Sequence, residues 1–96
     1  MQARTSTWAG SPEALEKWVE HVTNNVKPMV AGLPGNVGAY FFVDRPNGRA
    51  LTLTLWESEE AAALSDQTAE ASRVRTVAAT GIELVDRTRY EVAAHG

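Results

Sequence analysis

The chain contains no cysteine in 96 residues. That excludes a disulfide framework, thiolate catalysis and iron–sulfur ligation. Histidine is nearly as scarce. His21 and His95 stand far apart, the second in the C-terminal tail, and two isolated imidazoles do not make a metal site. With no phosphate-binding glycine loop either, no metal, flavin or haem is expected. Positive charge is sparse and scattered. Nine Lys and Arg stand against twelve Asp and Glu, the net charge is −3, and there is no basic block. A clustered cationic face is the usual footprint of nucleic-acid binding, so no nucleic-acid partner is expected. No apolar run approaches the roughly 18–20 residues that span a membrane. Met1 to Thr5 has no apolar core of a signal peptide, which leaves the cytoplasm as the default compartment.

What is present is a regular alternation of strand and helix signals within a length suited to one domain, 1–96. Gln2 to Trp8 mixes Thr, Ser and Trp, a composition for a half-buried strand. Ser11-Pro12-Glu13 then opens a helix, with a capping hydroxyl, a proline where no amide hydrogen is needed, and an acid at the positive dipole end. Leu15, Trp18, Val19, Val22, Val26 and Met29 form its apolar stripe. Pro28 should kink or tighten the last turns, and Leu33-Pro34-Gly35 stops them.

Val37 to Val43 and Arg49 to Trp56 are the next strands, joined by a turn at Asp44-Arg45-Pro46-Asn47-Gly48. In the second of these, Leu51, Leu53 and Leu55 share one face, with Thr52, Thr54 and Trp56 on the other. Ser58 caps a second helical region with Glu59 and Glu60 in its first turn. Its expected stripe is Ala61, Leu64, Thr68, Ala71, Val74, Val77 and Ala78, and Ser65-Asp66 could split it. Gly81 stops it. Ile82 to Val92 is the last strand, read as a strict alternation throughout.

Strand–helix–strand–strand–helix–strand in so short a chain is the α+β, ferredoxin-like β-α-β-β-α-β order, with a four-stranded antiparallel sheet. Several users of that fold lack their motifs here. There is no cysteine for a ferredoxin or a Cys-x-x-Cys metal carrier. Arg49 to Trp56 lacks the exposed aromatics of an RNA-recognition strand. Trp8-Ala9-Gly10-Ser11-Pro12 is not the phosphate loop of an acylphosphatase. Apolar residues on both faces of the middle strands imply a cover on the side away from the helices, and a second copy of the chain supplies one. A homodimer is expected.

Two stretches carry a resemblance. Leu33-Pro34-Gly35 ends the first helix, and the third strand closes in Trp56-Glu57-Ser58-Glu59-Glu60-Ala61. In order and spacing the chain resembles the antibiotic biosynthesis monooxygenase-like family of dimeric α/β barrels. The resemblance implies two sheets packed face to face with helices outside. It implies chemistry of two kinds. One is oxidation of polycyclic aromatic intermediates with no metal or flavin, the deprotonated substrate giving electrons to oxygen. The other is haem degradation, for which the second helical region lacks the His.

Trp56 matches the family tryptophan at the end of the third strand. Thr52 stands where the polyketide-type oxygenases carry an Asn, and Ala62 where they carry a Tyr. Arg75 corresponds, across a one-residue gap, to an arginine of the second helix. Tyr40, beside Phe41 and Phe42, completes the substrate-binding set; no catalytic residue is assigned. Each also has a plain structural reading: Trp56 and Tyr40 as packing, Thr52 as a strand residue, Arg73 and Arg75 as solvated charges or partners of Glu70 and Asp66. Two functions stay open: a cofactor-independent monooxygenase for a small aromatic substrate, and a non-enzymatic ligand-binding or structural dimer. An enclosed cavity of roughly 300 Å³ or more with convergent polar groups would favour the first. A cavity filled by Trp56 would favour the second.

Overall fold

The computed structural model describes residues 1–96. The elements are β1 (Gln2–Ala9), α1 (Pro12–His21), a π-helical segment (Val22–Val26), α2 (Lys27–Ala31), β2 (Asn36–Asp44), β3 (Arg49–Trp56), α3 (Glu59–Thr80) and β4 (Glu83–Glu91). The strands form one antiparallel sheet in the order β2-β3-β1-β4, the ferredoxin-like topology expected.

The local signals act where they stand in the sequence. Ser11 Oγ accepts from the Ala14 amide at 3.1 Å, and Ser58 Oγ accepts from the Ala61 amide at 3.0 Å. Gly81 takes a left-handed φ of 74° and donates its amide to Val77, ending α3. Pro28 acts one turn earlier than its own position. It cannot donate to a carbonyl of the preceding turn, and its ring crowds that carbonyl. The backbone widens there into a π turn, in which the Lys27 amide reaches back to Val22.

The helices cover one face of the sheet. Trp8, Leu15, Trp18, Val22, Val26, Val30, Ala50 and Ile82 form the buried apolar cluster, with Phe41, Val43 and Leu84 packed on it. Leu51, Leu53 and Leu55 lie on the other face, away from the helices, opposite Thr7, Thr5 and Ala3 of β1. They share it with Tyr40, Phe42 and Tyr90, which are about half exposed.

Three expectations are corrected. α3 is one continuous helix, unbroken at Ser65-Asp66. It buries Ala61, Ala62, Ser65, Ser72, Thr76 and Thr80, while Leu64 and Val74 of the expected stripe face solvent. The buried hydroxyls bond within the helix: Ser65 to the Ala62 carbonyl, Thr76 to Ser72 and Thr80 to Thr76, at 2.7–2.8 Å. The alternation of β4 is also broken. Trp8 pairs with Leu84 but Thr7 with Asp86, so Val85 is an extra, unpaired residue. Beyond it the parity reverses, and Arg87 and Arg89 lie on the helix side, opposite Ser6 and Arg4.

The two stretches that carried the resemblance meet in space. Gly35 accepts the Glu57 amide at 2.8 Å, has a φ of 79°, and lies so close to α3 that a Cβ would stand 2.3 Å from the Cβ of Ala61. Only glycine meets both demands. Gly35→Ala is therefore expected to cost about 2–3 kcal/mol, the sum of a strained φ and a clash with the Ala61 methyl on α3. Urea denaturation measures it; a loss below about 0.5 kcal/mol would contradict the close approach.

Candidate functional site

Between the sheet and the helices lies a small cavity. Its floor is the helix-facing side of β1 and β3: Arg4, Ser6 and Trp8 from one strand, Thr52, Thr54 and Trp56 from the other. These positions are every second residue along each strand, so the pleat aims all six the same way. The roof is apolar where the π segment and α2 cross it, with Val22, Val26, Met29 and Val30, and polar where α3 does, with Ser72, Arg73 and Thr76. Single π turns inside helices occur frequently at functional sites. The open volume is about 50 Å³.

Each indole is held by a threonine. Trp8 Nε1 donates to Thr52 Oγ1 at 3.1 Å, and Trp56 Nε1 donates to Thr54 Oγ1 at 3.0 Å. Thr52 Oγ1, having accepted from Trp8, keeps its own proton to donate. The Arg4 guanidinium lies 5.5 Å from the centre of the Trp56 ring, a cation–π contact. It also donates to Ser65 Oγ at 3.0 Å and to the Ala62 carbonyl at 2.8 Å, and it pairs with Asp66. Burial works against its cationic form and Asp66 opposes that effect; arginine stays charged all the same. Arg73 donates to Glu70 at 2.6 Å, while its buried Nε has no partner. The wall carries no carboxylate and no imidazole.

Trp56 and Thr52 are brought together on the cavity floor. Arg75 is not; it sits on the solvent side of α3. Tyr40 lies on the outer face of the sheet, stacked on Phe42 with ring centres 5.8 Å apart. The arginines at the cavity are Arg73 and Arg4. Sequence reasoning missed Arg4 and Trp8 as wall residues, although the shared parity of positions 4, 6 and 8 carried that information. Arg73 was legible only as a partner of Glu70.

Glu70 joins Arg73 on α3 to Arg87 on β4. The hydrogen bond from Arg73, and then the charges of both arginines, hold its carboxyl below the usual 4.5. A depressed carboxyl stabilises the fold above its unfolded-state value and loses that contribution as pH falls through its folded value. The thermal midpoint should therefore be higher for the unmodified chain than for Glu70→Gln at neutral pH. The gap should close below pH 4.5. A gap unchanged from pH 7 to pH 3 would contradict the pairing.

Comparison with known proteins agrees with this fold. The chain aligns, at 99% coverage of itself and 91% of the other chain, with the monooxygenase from ActVA-Orf6 of Streptomyces coelicolor in complex with nanaomycin D, with a TM-score of 0.70 and 19% identity. SnoaB, a cofactor-independent oxygenase from Streptomyces nogalater, aligns over 98% and 94% with a TM-score of 0.65 and 12% identity. At these identities the likeness is one of fold. Among curated sequences, the uncharacterized protein Rv2557 of Mycobacterium tuberculosis is 34% identical over 59 residues, 62% of this chain. That match is 26% of the relative's length, so the chain spans about a quarter of the curated relatives it matches. The model of the antibiotic biosynthesis monooxygenase family matches residues 1–76, a stretch that holds β1, the Gly35 approach, Trp56 and the cavity-facing part of α3 through Thr76. The chain belongs to the antibiotic biosynthesis monooxygenase family.

Proposed function

We propose that the chain is an oxygenase for a small, electron-rich aromatic substrate held between the sheet and the helices, and that it works as a homodimer through the outer face of the sheet. One observation carries the proposal: polar side chains converge on an interior cavity between two indoles, where a purely structural core would place aliphatic groups. The substrate is its own reductant. A phenol with an open para position and one O2 give a para-quinone and one water. One oxygen atom forms the new carbonyl and the other leaves as water. The ring gives up four electrons, two to each atom of O2, and the phenolic proton and the para C–H proton leave in the water. With no base on the wall, the residues act by favouring the phenolate. Arg4 and Arg73 lower the pKa of a bound phenol, and the Thr52 hydroxyl donates to the oxyanion. Trp8 fixes Thr52, and Trp56 supplies an aromatic surface.

The second reading, a ligand-free structural dimer, is favoured by the volume. About 50 Å³ is well under the ~300 Å³ of a typical ligand pocket, so a bicyclic substrate requires α3 and the π segment to move off the sheet. Oxygen uptake separates the two. Chelator-treated, dialysed protein with 1,8-dihydroxynaphthalene should consume oxygen faster than the buffer reaction, and Arg73→Met should remove most of the excess. Removing an oxyanion donor typically costs about 10²–10³-fold in rate. Uptake at the buffer rate with this and related polycyclic phenols would leave the structural reading.

A further inference from the structure

Beside the cavity, between α3 and β4, runs an open groove with no apolar residue on its wall. Its volume is about 530 Å³, ten times that of the cavity. Arg4, Arg73, Arg87 and Arg89 line it together with Asp66 and Glu70, a surplus of two positive charges in a chain whose net charge is −3. Arg4 and Arg73 line both spaces, so the groove and the cavity share a wall. The bulge at Val85 creates the arrangement, because it turns Arg87 and Arg89 to the helix side.

We propose that this groove is the anion end of the site: it takes the carboxylate of a substrate whose aromatic ring enters the cavity, so the substrate class is an aromatic acid. The proposal rests on the reading of the cavity as an aromatic site. Three observations support it. Two carboxylates serve four guanidinium groups, so donors are left over. Arg89 stands 3.7 Å from Asp66, too far for a full hydrogen bond, and Arg87 gives one nitrogen to Glu70. Arg73 Nε, in the shared wall, is a buried donor with no acceptor, a state that costs energy unless something fills it. A guanidinium also presents its N–H groups in a planar fork that matches a carboxylate. A network built only to fasten α3 to β4 would need no surplus of one sign.

The test compares 1-hydroxy-2-naphthoate with 1-hydroxy-2-naphthamide, which has the same rings and hydroxyl but no charge. Both are titrated calorimetrically into the full chain, into Arg87→Gln/Arg89→Gln and into Glu70→Gln. The acid should bind the unmodified chain at least about 10-fold more tightly than the amide, and raised salt should reduce the ratio. In the double variant the ratio should fall to within about twofold of one, since the surplus charge is gone. In Glu70→Gln it should rise, because Arg73 and Arg87 lose a competing carboxylate. This second variant reads the proposal with the opposite sign, so a folding defect in the double variant cannot imitate the result. Equal binding of acid and amide would overturn the proposal and leave the aromatic site standing. A ratio unmoved by both variants would also overturn it. Failure of both probes to bind would remove the aromatic site and the proposal together.

Discussion

Trp56→Ala should destabilise the chain by about 3–5 kcal/mol, the usual loss for a buried large aromatic. The side chain is 1% exposed at the end of β3. Its indole bonds to Thr54, its ring lies beside Arg4, and its removal would enlarge the adjoining cavity. Arg4 would then remain a buried cation with less to stabilise it, which adds to the lost packing. A small domain has only about 5–15 kcal/mol of stability in total, so much of the chain would be unfolded at 37 °C. Trp56→Phe keeps most of the ring area but removes the donor to Thr54. It should cost about 1–2 kcal/mol and stay folded. Urea denaturation of both variants gives the two numbers. A cost below 1 kcal/mol for Trp56→Ala would mean that the ring does not hold the floor of the site together.

The second large effect is expected at Leu53, near the middle of the outer face. It pairs across the sheet with Thr5 on β1 and Tyr40 on β2. Tyr40, Phe42, Tyr90 and the three leucines make a continuous apolar surface on the chain by itself. Soluble monomers rarely leave so much contiguous apolar surface in water. A second copy seated there would bury well over about 1,200 Å² in a largely apolar interface. Leu53→Asp would place an unpaired carboxylate at its centre. The dissociation constant should rise by about 10³-fold or more, roughly 4 kcal/mol, because a buried charge without a partner is so costly. Sedimentation equilibrium should find dimers of the 10.4 kDa chain for the unmodified sequence and monomers for Leu53→Asp. A stable, folded monomer of the unmodified chain at micromolar concentration would refute the dimer.

The order of the elements, their caps and their stops were legible because each rests on a local signal. Ser11, Pro12, Ser58 and Gly81 all act within one turn of their own positions. What was not legible depends on which face wins. The Leu51, Leu53 and Leu55 face of β3 has the composition of a core, yet it is the outer face, and the Thr52, Thr54 and Trp56 face meets the helices. Alternation defines two faces but cannot say which one a helix covers when both are apolar enough. The same ambiguity misplaced much of the α3 stripe, although Ala61 is buried as expected. The Ser and Thr face of α3 is turned inward because it roofs a polar cavity and satisfies its hydroxyls within the helix, and this leaves Leu64 and Val74 outside.

The site residues show how sharp the geometry is. Arg73 and Arg75 differ by two positions, about 200° around a helix, so one lines the cavity and the other faces solvent. A shift of two residues in a comparison of patterns exchanges them. Arg87 and Arg89 depended on a single extra residue, Val85, which no alternation rule reveals. Trp56 and Thr52 were reachable because they lie on a strand with regular parity, at a fixed distance from the Trp-Glu-Ser-Glu-Glu-Ala stretch.

The central claim is that the space between Trp8 and Trp56 receives an aromatic ligand, and tryptophan emission reads it directly. 1,8-Dihydroxyanthraquinone, a planar quencher, should quench the unmodified chain saturably with one site per chain. The saturable part should shrink in Trp56→Phe and in Trp8→Phe, since both indoles border the cavity, and it should survive in Trp18→Phe, whose indole packs against Phe41 outside it. Quenching that never saturates, or that is the same in all three variants, would contradict the claim and leave Trp56 a packing residue.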